Sequence, residues 1–389
     1  MAKEIKVAVI GAGFAGQAHA FGYRNASMAD ELQGVKVILG TIVDPNLELA
    51  KTVAERYGFD KAAGSIDDII NDPTIDAVSV ALPNFVYIDV LPKLIKAGKH
   101  VLAEKPLGTS AAEAAKLAEL AAASGRVAGV GFSFRRIPAL AALQKSVREG
   151  RIGEVYFARA YYYADYAADA RGPRTWRFEQ NKSGGGAIID IGTHAIDALI
   201  AALGPVEEVT SASLSTVIAV RPLPGGGIGH NASASATETG PVTNDDTALL
   251  TVKFTSGAVA SVQLSRVAVG RPNQLGVEIF GSKGSVSFDS TLFDEFSIFD
   301  DQSGEPGFDG PRRVISGPAF PYYSSTSPMR ARGTGTGYGE AFMAETQDFL
   351  AAIAHGHPMD TSFETTVHPM QVISAALESS ATGRSVKVS

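Results

Sequence analysis

The chain has 389 residues, of which 45% are hydrophobic and 19% are charged, a composition that predicts a folded protein with a sizeable core. Its net charge of −7 argues against broad attraction to nucleic acid, and the absence of cysteine excludes disulfides and thiolate chemistry. No apolar stretch is long enough to span a bilayer and no signal peptide precedes the first strand, so we expect a cytoplasmic protein without membrane partners.

The first predicted strand leads directly into a glycine-rich turn. Residues 5–10 are apolar and rich in β-branched side chains, which indicates a buried strand. The sequence Gly11-Ala12-Gly13-Phe14-Ala15-Gly16 follows as G-x-G-x-x-G. The first glycine permits a tight turn, the second lets a pyrophosphate approach the backbone, and the third lets the next helix pack on the strand. A helix that starts near Phe14 would direct its first amides at the phosphates, so the pattern predicts a dinucleotide site.

The second predicted strand, residues 34–43, ends at Asp44. An acidic side chain there accepts hydrogen bonds from both ribose hydroxyls and repels a 2′-phosphate, so we predict NAD rather than NADP as the cofactor. The spacing from Gly16 to Asp44 exceeds the usual ~20 residues, and we attribute the excess to an inserted loop at 27–34. The alternative is that Asp44 is only a turn residue before Pro45.

Strands and helices continue to alternate up to about residue 133, which predicts a doubly wound parallel sheet. Ligands of such sheets bind beyond the carboxyl ends of the strands, so Leu82, Asn84, Glu104 and Lys105 are candidate cofactor contacts. The predicted helices are 47–57, a short one from Ile66 capped by Ser65, 87–97 and 111–123, and the further predicted strands are 77–82, 100–104 and 126–132.

The second half of the chain has a different pattern, which predicts an α+β domain over 134–389 with a large, mostly antiparallel open sheet. Its C-terminal helices are candidates to pack back on the Rossmann domain, 1–133. The loops 221–244 and 302–339 are equally well interpreted as lids, oligomer arms or passive insertions. The predicted elements are a strand at 154–166, one helix at 186–203, a hairpin of 247–254 and 258–264, strands at 275–281, 284–289 and 295–300, and helices at 340–354 and 363–382.

Asp190 and His194 are four residues apart on the predicted helix and would share one face, after a run of three glycines. Oxidising a secondary alcohol requires a base for the hydroxyl proton as hydride leaves the carbon, and a histidine suits that role. Lys105 can hydrogen-bond the same oxygen and stabilise its developing charge, while Asp190 binds a neighbouring hydroxyl or orients the lysine. Singly, each residue has a structural alternative; with the dinucleotide fingerprint, we predict all three as the catalytic set.

Other polar and aromatic residues are candidate ligands of the substrate or cofactor. Trp176 and Arg177 offer a flat aromatic surface and a bidentate polar group, although Trp176 is equally well interpreted as a core residue. No metal site is predicted, because cysteine is absent and His355-Gly356-His357 is too close-set for a zinc site. The predicted substrate-binding set is Lys105, Arg135, Tyr163, Asp165, Asp190, Thr193 and His194.

Three motifs, in this order, resemble those of the Gfo/Idh/MocA oxidoreductases: G-x-G-x-x-G at 11–16, Glu104-Lys105-Pro106, and Gly-Gly-Gly-Ala-x-x-Asp-x-Gly-x-His at 184–194. The resemblance covers essentially the whole chain. It implies the same division of labour among the three predicted catalytic residues, with some members assigning proton transfer to the lysine. It also implies that the open sheets of two chains pack together, giving a homodimer or homotetramer. Asn84-Phe85-Val86-Tyr87 departs from the Asn-x-x-His of the family, so the role of that histidine is not carried over to Tyr87.

Within the family, several stretches are similar to its levoglucosan dehydrogenase branch. This resemblance implies oxidation of a secondary hydroxyl of a sugar, anhydrosugar or cyclitol, such as C3 of levoglucosan, to a ketone with formation of NADH. The alternatives are an inositol or aldose dehydrogenase, a lyase or glycosidase that uses NAD transiently, and a non-catalytic NAD-binding regulator, which would be expected to lose Lys105 or His194. The stretches are 16–19, 132–139, 176–178, 241–246 and 337–340.

Overall fold

The computed structural model describes residues 3–226, 233–300 and 307–389, which form two compact units. The division differs from the predicted boundary at residue 133, because a late segment of the chain returns to the first unit. The first unit consists of Met1–Gly108, Ala112–Ala141 and Ser316–Val367, and the second of Thr109–Ala111, Ala142–Ile315 and His368–Ser389.

A six-stranded sheet with the order β3-β2-β1-β4-β5-β6 forms the centre of the first unit, and all its neighbouring strands are parallel. The order reverses between β1 and β4, the kind of switch point at which doubly wound sheets bind ligands. The predicted strands are confirmed to within two residues, whereas β3 is too short to give a sequence pattern. The strands are β1 (Lys3–Ile10), β2 (Val35–Val43), β3 (Lys61–Ala63), β4 (Ala77–Val80), β5 (His100–Glu104) and β6 (Ala128–Gly131).

The helices of this part of the chain begin and end within one residue of the predicted bounds. The predicted inserted loop at 27–34 holds two single-turn 3₁₀ helices, Ala26–Met28 and Asp30–Leu32. A sixth helix, α6, was not predicted. The helices are α1 (Phe14–Arg24), α2 (Leu47–Tyr57), α3 (Asp67–Ile70), α4 (Tyr87–Lys96), α5 (Ala111–Ser124) and α6 (Pro138–Arg148).

A nine-stranded sheet with the order β16-β15-β14-β13-β7-β12-β11-β8-β17 dominates the second unit. Its pairs are antiparallel except β7 with β12, which confirms the predicted, mostly antiparallel sheet. The interpretation of 221–244 as a loop is wrong in its described part, where β9 and β10 form a separate antiparallel ribbon; residues 227–232 lie outside the described structure. The strands are β7 (Val155–Tyr163), β8 (Val206–Ser215), β9 (Val220–Gly226), β10 (Ser233–Pro241), β11 (Thr247–Phe254), β12 (Val259–Ser265), β13 (Gln274–Gly281), β14 (Gly284–Asp289), β15 (Glu295–Phe299), β16 (Arg312–Ile315) and β17 (Val386–Lys387).

The helices of the second half include one correction to the sequence prediction. The single helix predicted over 186–203 is interrupted at Ile191, and the segments 180–190 and 192–203 meet at a bend of 49°. The predicted loop 302–339 holds β16 and a helical turn, with residues 301–306 outside the described structure. The helices are α7 (Gln180–Ser183), α8 (Ala187–Asp190), α9 (Gly192–Leu203), α10 (Tyr323–Thr326), α11 (Tyr338–His355) and α12 (Phe363–Thr382).

The break between α8 and α9 lies close to the sheet. A Cβ atom at Gly192 would lie 2.7 Å from Leu264 Cδ1 of β12, so a side chain at this position would require Leu264 to move. The Thr193 hydroxyl donates to the Ile189 carbonyl at 2.9 Å and so gives a carbonyl next to the break a partner. Among the described residues no single helix is long and apolar enough to cross a bilayer; 180–190 and 192–203 meet that test only together, as a bent pair.

Helix α11 completes the core of the first unit. Its residues Phe349 and Leu350 are fully buried in the same apolar cluster as Val7 and Val9 of β1 and Tyr23 of α1. Residues 316–367 belong to this unit, and α11 packs against α1 within it. Helix α12 is divided, since its first turn belongs to the first unit and His368 onwards to the second.

One face of the nine-stranded sheet carries exposed apolar side chains. Phe157 of β7 is paired in register with Val259 on one side and Phe280 on the other, so the three side chains stand next to one another on the same face. They are 43%, 37% and 42% exposed, and Leu249 of β11 is 57% exposed. Exposed apolar side chains that adjoin one another favour burial in a protein contact, and a second copy of the chain can provide it.

We therefore expect the protein to sediment as a dimer or tetramer at micromolar concentrations. Phe157→Glu should raise the subunit dissociation constant about tenfold or more, because it places an unpaired charge in the contact. Met329→Glu, at an equally apolar and 63% exposed position in the other unit, serves as the control and should leave the assembly intact. A wild-type monomer, or equal dissociation of both variants, would contradict this assignment of the face.

Candidate functional site

The glycine turn after β1 has the local geometry that a dinucleotide site requires. Gly11 has a φ of +96°, and a Cβ there would lie 2.4 Å from the Ala81 carbonyl oxygen. A Cβ at Gly16 would lie 1.7 Å from the Gly11 carbonyl oxygen, so this glycine is needed for the helix to start close to the strand. A Cβ at Gly13 would meet nothing within 4 Å. The open space over Gly13, next to the first amides of α1, fits a pyrophosphate group.

Asp44 is fixed against this turn by two backbone hydrogen bonds. The Ala12 amide donates to Oδ2 at 2.9 Å, and the Asn46 amide donates to Oδ1 at 2.9 Å. Asp44 is therefore more than a turn residue before Pro45, because it joins the end of β2 to the glycine turn. Each carboxylate oxygen has a second lone pair, so the side chain still has acceptors for ribose hydroxyls. Its contact with a ribose stays a prediction.

A side-chain hydrogen bond joins the segments that follow β4 and β5. The Asn84 amide group donates to the Gly108 carbonyl at 2.9 Å, and Tyr87 donates to the Val80 carbonyl at 3.2 Å from a fully buried position. The Lys105 backbone amide donates to Glu104 Oε2 at 3.2 Å. Lys105 and Leu82 are half-buried at the ends of these strands, and Lys105-Pro106 is a cis peptide bond. Tyr87 thus has a structural hydrogen bond where the family pattern has histidine.

In the second unit the triple glycine passes directly over Asp245. A Cβ at Gly186 would lie 1.7 Å from the Asp245 carbonyl oxygen. The Asp245 carboxylate accepts the Gly186 amide at 2.7 Å and the Ile188 amide at 2.8 Å, and so caps the first turn of α8. Burial raises the pKa of Asp245, and these two amide bonds oppose that shift. The segment that carries Asp190 and His194 is therefore anchored at its start.

Asn244 and Asp246 extend this anchor on either side of Asp245. The Asn244 amide donates to the Gly185 carbonyl at 3.0 Å and to Ser183 Oγ at 2.8 Å. Asp246 forms a fully buried ion pair with Arg266, whose Nε lies 2.8 Å from Oδ1. Because removing one partner of a buried pair leaves an uncompensated charge, this network resists rearrangement.

Asp190 is held by a tyrosine that the sequence did not single out. Tyr166 donates its hydroxyl to Asp190 Oδ2 at 2.6 Å. Although 41% of Tyr166 is exposed, desolvation of its hydroxyl and then repulsion from Asp190 raise its pKa well above the ordinary value. The phenol therefore remains a donor at neutral pH and fixes the orientation of the Asp190 carboxylate.

His194 of α9 packs on the nine-stranded sheet next to Tyr162 of β7. The two ring centroids are 6.0 Å apart, and both residues are buried. Since successive side chains of a strand point to opposite faces, the predicted substrate ligand Tyr163 lies on the other face from Tyr162. There it stacks on Tyr161 at 5.1 Å and donates to Gln263 Oε1 at 2.8 Å. The structure thus places Tyr162, and not Tyr163, beside His194.

The remaining candidates have defined positions within their own units. In the second unit, Arg177 lies over the Trp176 ring at 4.5 Å, and Asp165 accepts the Gly270 amide at 3.3 Å. Thr193 is fully buried, with its hydroxyl bonded to Ile189 at the helix break. In the first unit, Arg135 is half-buried and 3.5 Å from Asp360. Their roles as ligands stay predictions.

Asp245→Ala should destabilise the protein, because the amides of Gly186 and Ile188 lose their acceptors. Each buried amide left unsatisfied costs ~1–3 kcal/mol, so we expect the free energy of unfolding to fall by about 2–4 kcal/mol after allowing for the carboxylate desolvation that is removed. Asp245→Asn retains one carbonyl acceptor and should show a smaller loss. Asp169→Ala is the control, because this exposed aspartate bonds the neighbouring Arg171 through its side chain. Equal denaturation midpoints for Asp245→Ala and Asp169→Ala would refute the capping role.

Comparisons with known proteins cover both units. Residues 5–132 match the model of an oxidoreductase family with an NAD-binding Rossmann fold, and 140–287 match a GFO/IDH/MocA C-terminal domain. The chain is 36% identical to levoglucosan dehydrogenase of Pseudarthrobacter phenanthrenivorans over 97% of each sequence, and 26% identical to scyllo-inositol 2-dehydrogenase (NAD(+)) of Bacillus subtilis over 100% and 97%. A solved levoglucosan dehydrogenase in complex with NADH and levoglucosan superposes with a TM-score of 0.91 at 34% identity, covering 99% and 100% of the two chains.

Proposed function

This chain belongs to the GFO/IDH/MocA family of oxidoreductases, and we propose that it oxidises one secondary hydroxyl of levoglucosan or a closely similar pyranose, at C3, to a ketone. It is an NAD-dependent oxidoreductase related throughout its length to dehydrogenases of sugars and inositols.

The similarity to levoglucosan dehydrogenase over 97% of both chains supports the choice of substrate, and the fixing of Asp190 supports the choice of chemistry. Because Tyr166 occupies Oδ2, the carboxylate is oriented before a substrate arrives. A preoriented carboxylate suits a polyol, since carboxylate oxygens accept hydrogen bonds from ring hydroxyls and each oxygen can accept more than one.

The proposed division of labour uses three residues of this chain. His194 takes the proton of the reacting hydroxyl, the role of general base that histidine commonly fills. Lys105 donates a hydrogen bond to the same oxygen and stabilises the negative charge that develops on it. Asp190 holds the adjacent hydroxyl. Arg135, Asp165 and Thr193 are proposed to complete the substrate site.

When bound, NAD supplies the hydride acceptor. We assign its pyrophosphate to the glycine turn, where the open space over Gly13 supports the assignment, and its adenosine ribose to Asp44. The other proposed cofactor contacts are Leu82, Asn84, Glu104, Lys105, Trp176 and Arg177.

A substrate panel followed by NADH absorbance tests this proposal. Levoglucosan should give a higher kcat/KM than scyllo-inositol, myo-inositol and free aldopyranoses. Levoglucosan deuterated at C3 should transfer its deuterium to the nicotinamide, whereas label at C2 or C4 should stay in the sugar. Transfer from C2 or C4 would overturn the assignment of position.

The same panel separates the other functions. A clear preference for an inositol would move the protein to the cyclitol dehydrogenases, to which it is also related. Release of an eliminated or hydrolysed sugar without net NADH would indicate a redox lyase or glycosidase. NAD binding without turnover of any polyol would indicate a regulator.

A further inference from the structure

A buried group of ionisable side chains lies behind Lys105 in the first unit. His19 of α1, Glu104 of β5 and Glu345 of α11 each have one nitrogen or carboxylate oxygen within 4.8 Å of the other two. His19 Nε2 is 3.0 Å from Glu104 Oε1 and 3.8 Å from Glu345 Oε1. His19 and Glu345 are fully buried, whereas Glu104 keeps a small exposed fraction.

Glu345 lacks the contacts that a buried carboxylate anion needs. Within the described part of the chain neither of its oxygens accepts a hydrogen bond. His19 Nε2 lies 3.8 Å from its Oε1. The other charged groups around it are Glu104, Asp348 and Arg136, and the Arg136 guanidinium already binds Asp348 and Asp360. Desolvation and then repulsion from Glu104 raise the pKa of Glu345 well above its ordinary value. Since an ionised carboxylate is strongly penalised in such surroundings, they favour the protonated form of Glu345.

Gly131 leaves space for the carboxyl group of Glu345. A Cβ at Gly131 of β6 would lie 2.8 Å from Glu345 Oε1 and 3.2 Å from Glu104 Oε1. The two carboxyl groups therefore lie against the bare backbone of β6 and close to each other.

A chain of hydrogen bonds links the buried Tyr23 to this group. Tyr23 and Ser79 are 2.6 Å apart at their hydroxyls, and Ser79 Oγ is 3.0 Å from His19 Nδ1. Burial raises the pKa of Tyr23, so the phenol keeps its proton and can donate it to Ser79. When Ser79 in turn donates to Nδ1, a neutral His19 has its proton on Nε2, facing Glu104. In this arrangement Glu104 Oε1 accepts the hydrogen bond from His19.

Glu104 transmits this arrangement to Lys105. Its Oε1 binds His19 Nε2, and its Oε2 accepts the backbone amide of Lys105 at 3.2 Å. With both oxygens fixed, the carboxylate can hold the end of β5 in one position.

We propose that His19, Glu104 and Glu345 form a buried proton-sharing unit, in which one proton is held on the two carboxyl groups and Glu104 fixes the backbone at Lys105. His19 and Glu345 are then positioning residues. The effect of this unit on turnover rests on the proposed role of Lys105, whereas its proton and its hold on the backbone do not.

The proton is tested with Glu345→Gln, which keeps the shape of a neutral carboxyl group. The infrared C=O band of a protonated carboxyl group should be present in the wild type at neutral pH and absent from the variant. Glu4→Gln, at an exposed glutamate paired with Lys36, is the control and should retain the band. A wild type without the band, or a tightly bound divalent metal ion in the purified protein, would overturn the proposal.

The pH dependence of folding stability gives a second test of whether Glu345 is protonated. The pKa of Glu345 is raised in the folded state above the ordinary value of 4.5, so its stabilising contribution is complete below pH 4.5 and is lost as the pH rises towards the folded-state pKa. Glutamine does not ionise. The folding constant of Glu345→Gln relative to the wild type should therefore rise about tenfold per pH unit above pH 4.5. A ratio independent of pH would contradict the proposal.

The hold on Lys105 is tested without reference to activity. Hydrogen exchange of the Lys105 amide should be at least about tenfold faster in His19→Phe than in the wild type, because Glu104 loses one of its two anchors. His19→Gln, whose amide can still donate to Glu104, should recover most of the protection. Unchanged exchange in His19→Phe would refute the positioning role.

Turnover then distinguishes the two proposals. If exchange responds as expected and kcat falls in His19→Phe but recovers in His19→Gln, the unit positions a catalytic Lys105. If exchange responds and kcat does not, the proton-sharing unit stands and the role of Lys105 is wrong.

Discussion

Replacing His194 with alanine is expected to lower kcat on the best polyol substrate about 10²–10⁴-fold, the usual contribution of a positioned general base. His194 is buried next to Tyr162 on a helix whose approach is anchored by Asp245, so the loss should come from chemistry and not from unfolding. Lys105→Ala should be at least as damaging, because stabilisation of the developing oxyanion is removed.

Neither change should much weaken NAD binding, since most of the proposed cofactor contacts lie elsewhere, among them the glycine turn and Asp44. Presteady-state measurement of hydride transfer and a separate NAD titration make this distinction. His357→Ala and Lys96→Ala, at exposed positions in the first unit, are the matched controls. Near-wild-type turnover in both active-site variants would show that the catalytic assignment is wrong. A collapse of NAD affinity would show instead that these residues support the cofactor pocket.

Asp44→Ala is expected to reverse much of the preference for NAD over NADP. Hydrogen bonds to a charged group contribute ~1.5–3 kcal/mol, so kcat/KM for NAD should fall roughly tenfold to a hundredfold. The value for NADP should fall less or rise, because the repulsion of the 2′-phosphate is removed.

The ratio of kcat/KM for NAD to kcat/KM for NADP is the informative quantity, since Asp44 also binds the amides of Ala12 and Asn46. Any disorder of the glycine turn affects both cofactors, whereas the loss of charge affects them in opposite directions. Asp44→Asn, which keeps one acceptor but no charge, tests this separation. A wild-type preference for NADP, or an unchanged ratio in Asp44→Ala, would contradict the assignment.

The elements of the fold that the sequence predicts best are those with a strong local pattern. The strand before the glycine turn, the helix 47–57 and the strand 100–104 have apolar periodicity and clear end signals, and their observed bounds match closely. β3 and the ribbon of β9 and β10 were missed because the former has three residues and the latter is rich in Gly, Pro and Ser.

The break at Ile191 could not be predicted from local sequence, because helical spacing of apolar residues continues through it. At the break Gly192 packs close to Leu264, a residue more than seventy positions later that no local pattern indicates. The predicted shared face of Asp190 and His194 assumed one unbroken helix. In the structure the two residues belong to different helices that meet at that break.

The order of residues around Tyr161, Tyr162 and Tyr163 contains a signal that distinguishes the two faces of β7. Ala158, Ala160 and Tyr162 alternate with Arg159 along β7, and the small buried residues mark the face that packs against helices. Asp245 had no comparable signal, since its partners are backbone amides nearly sixty residues away.

The return of α11 to the first unit has a consequence for the order in which the protein forms during synthesis. The six-stranded sheet is encoded by the first 131 residues, yet Phe349 and Leu350 fill its core and Glu345 lies against β6. On the ribosome, the sheet must therefore wait for more than two hundred further residues before its last apolar surface is covered. Closing so long a loop slows folding, and the exposed surface is a target for chaperones in the interval.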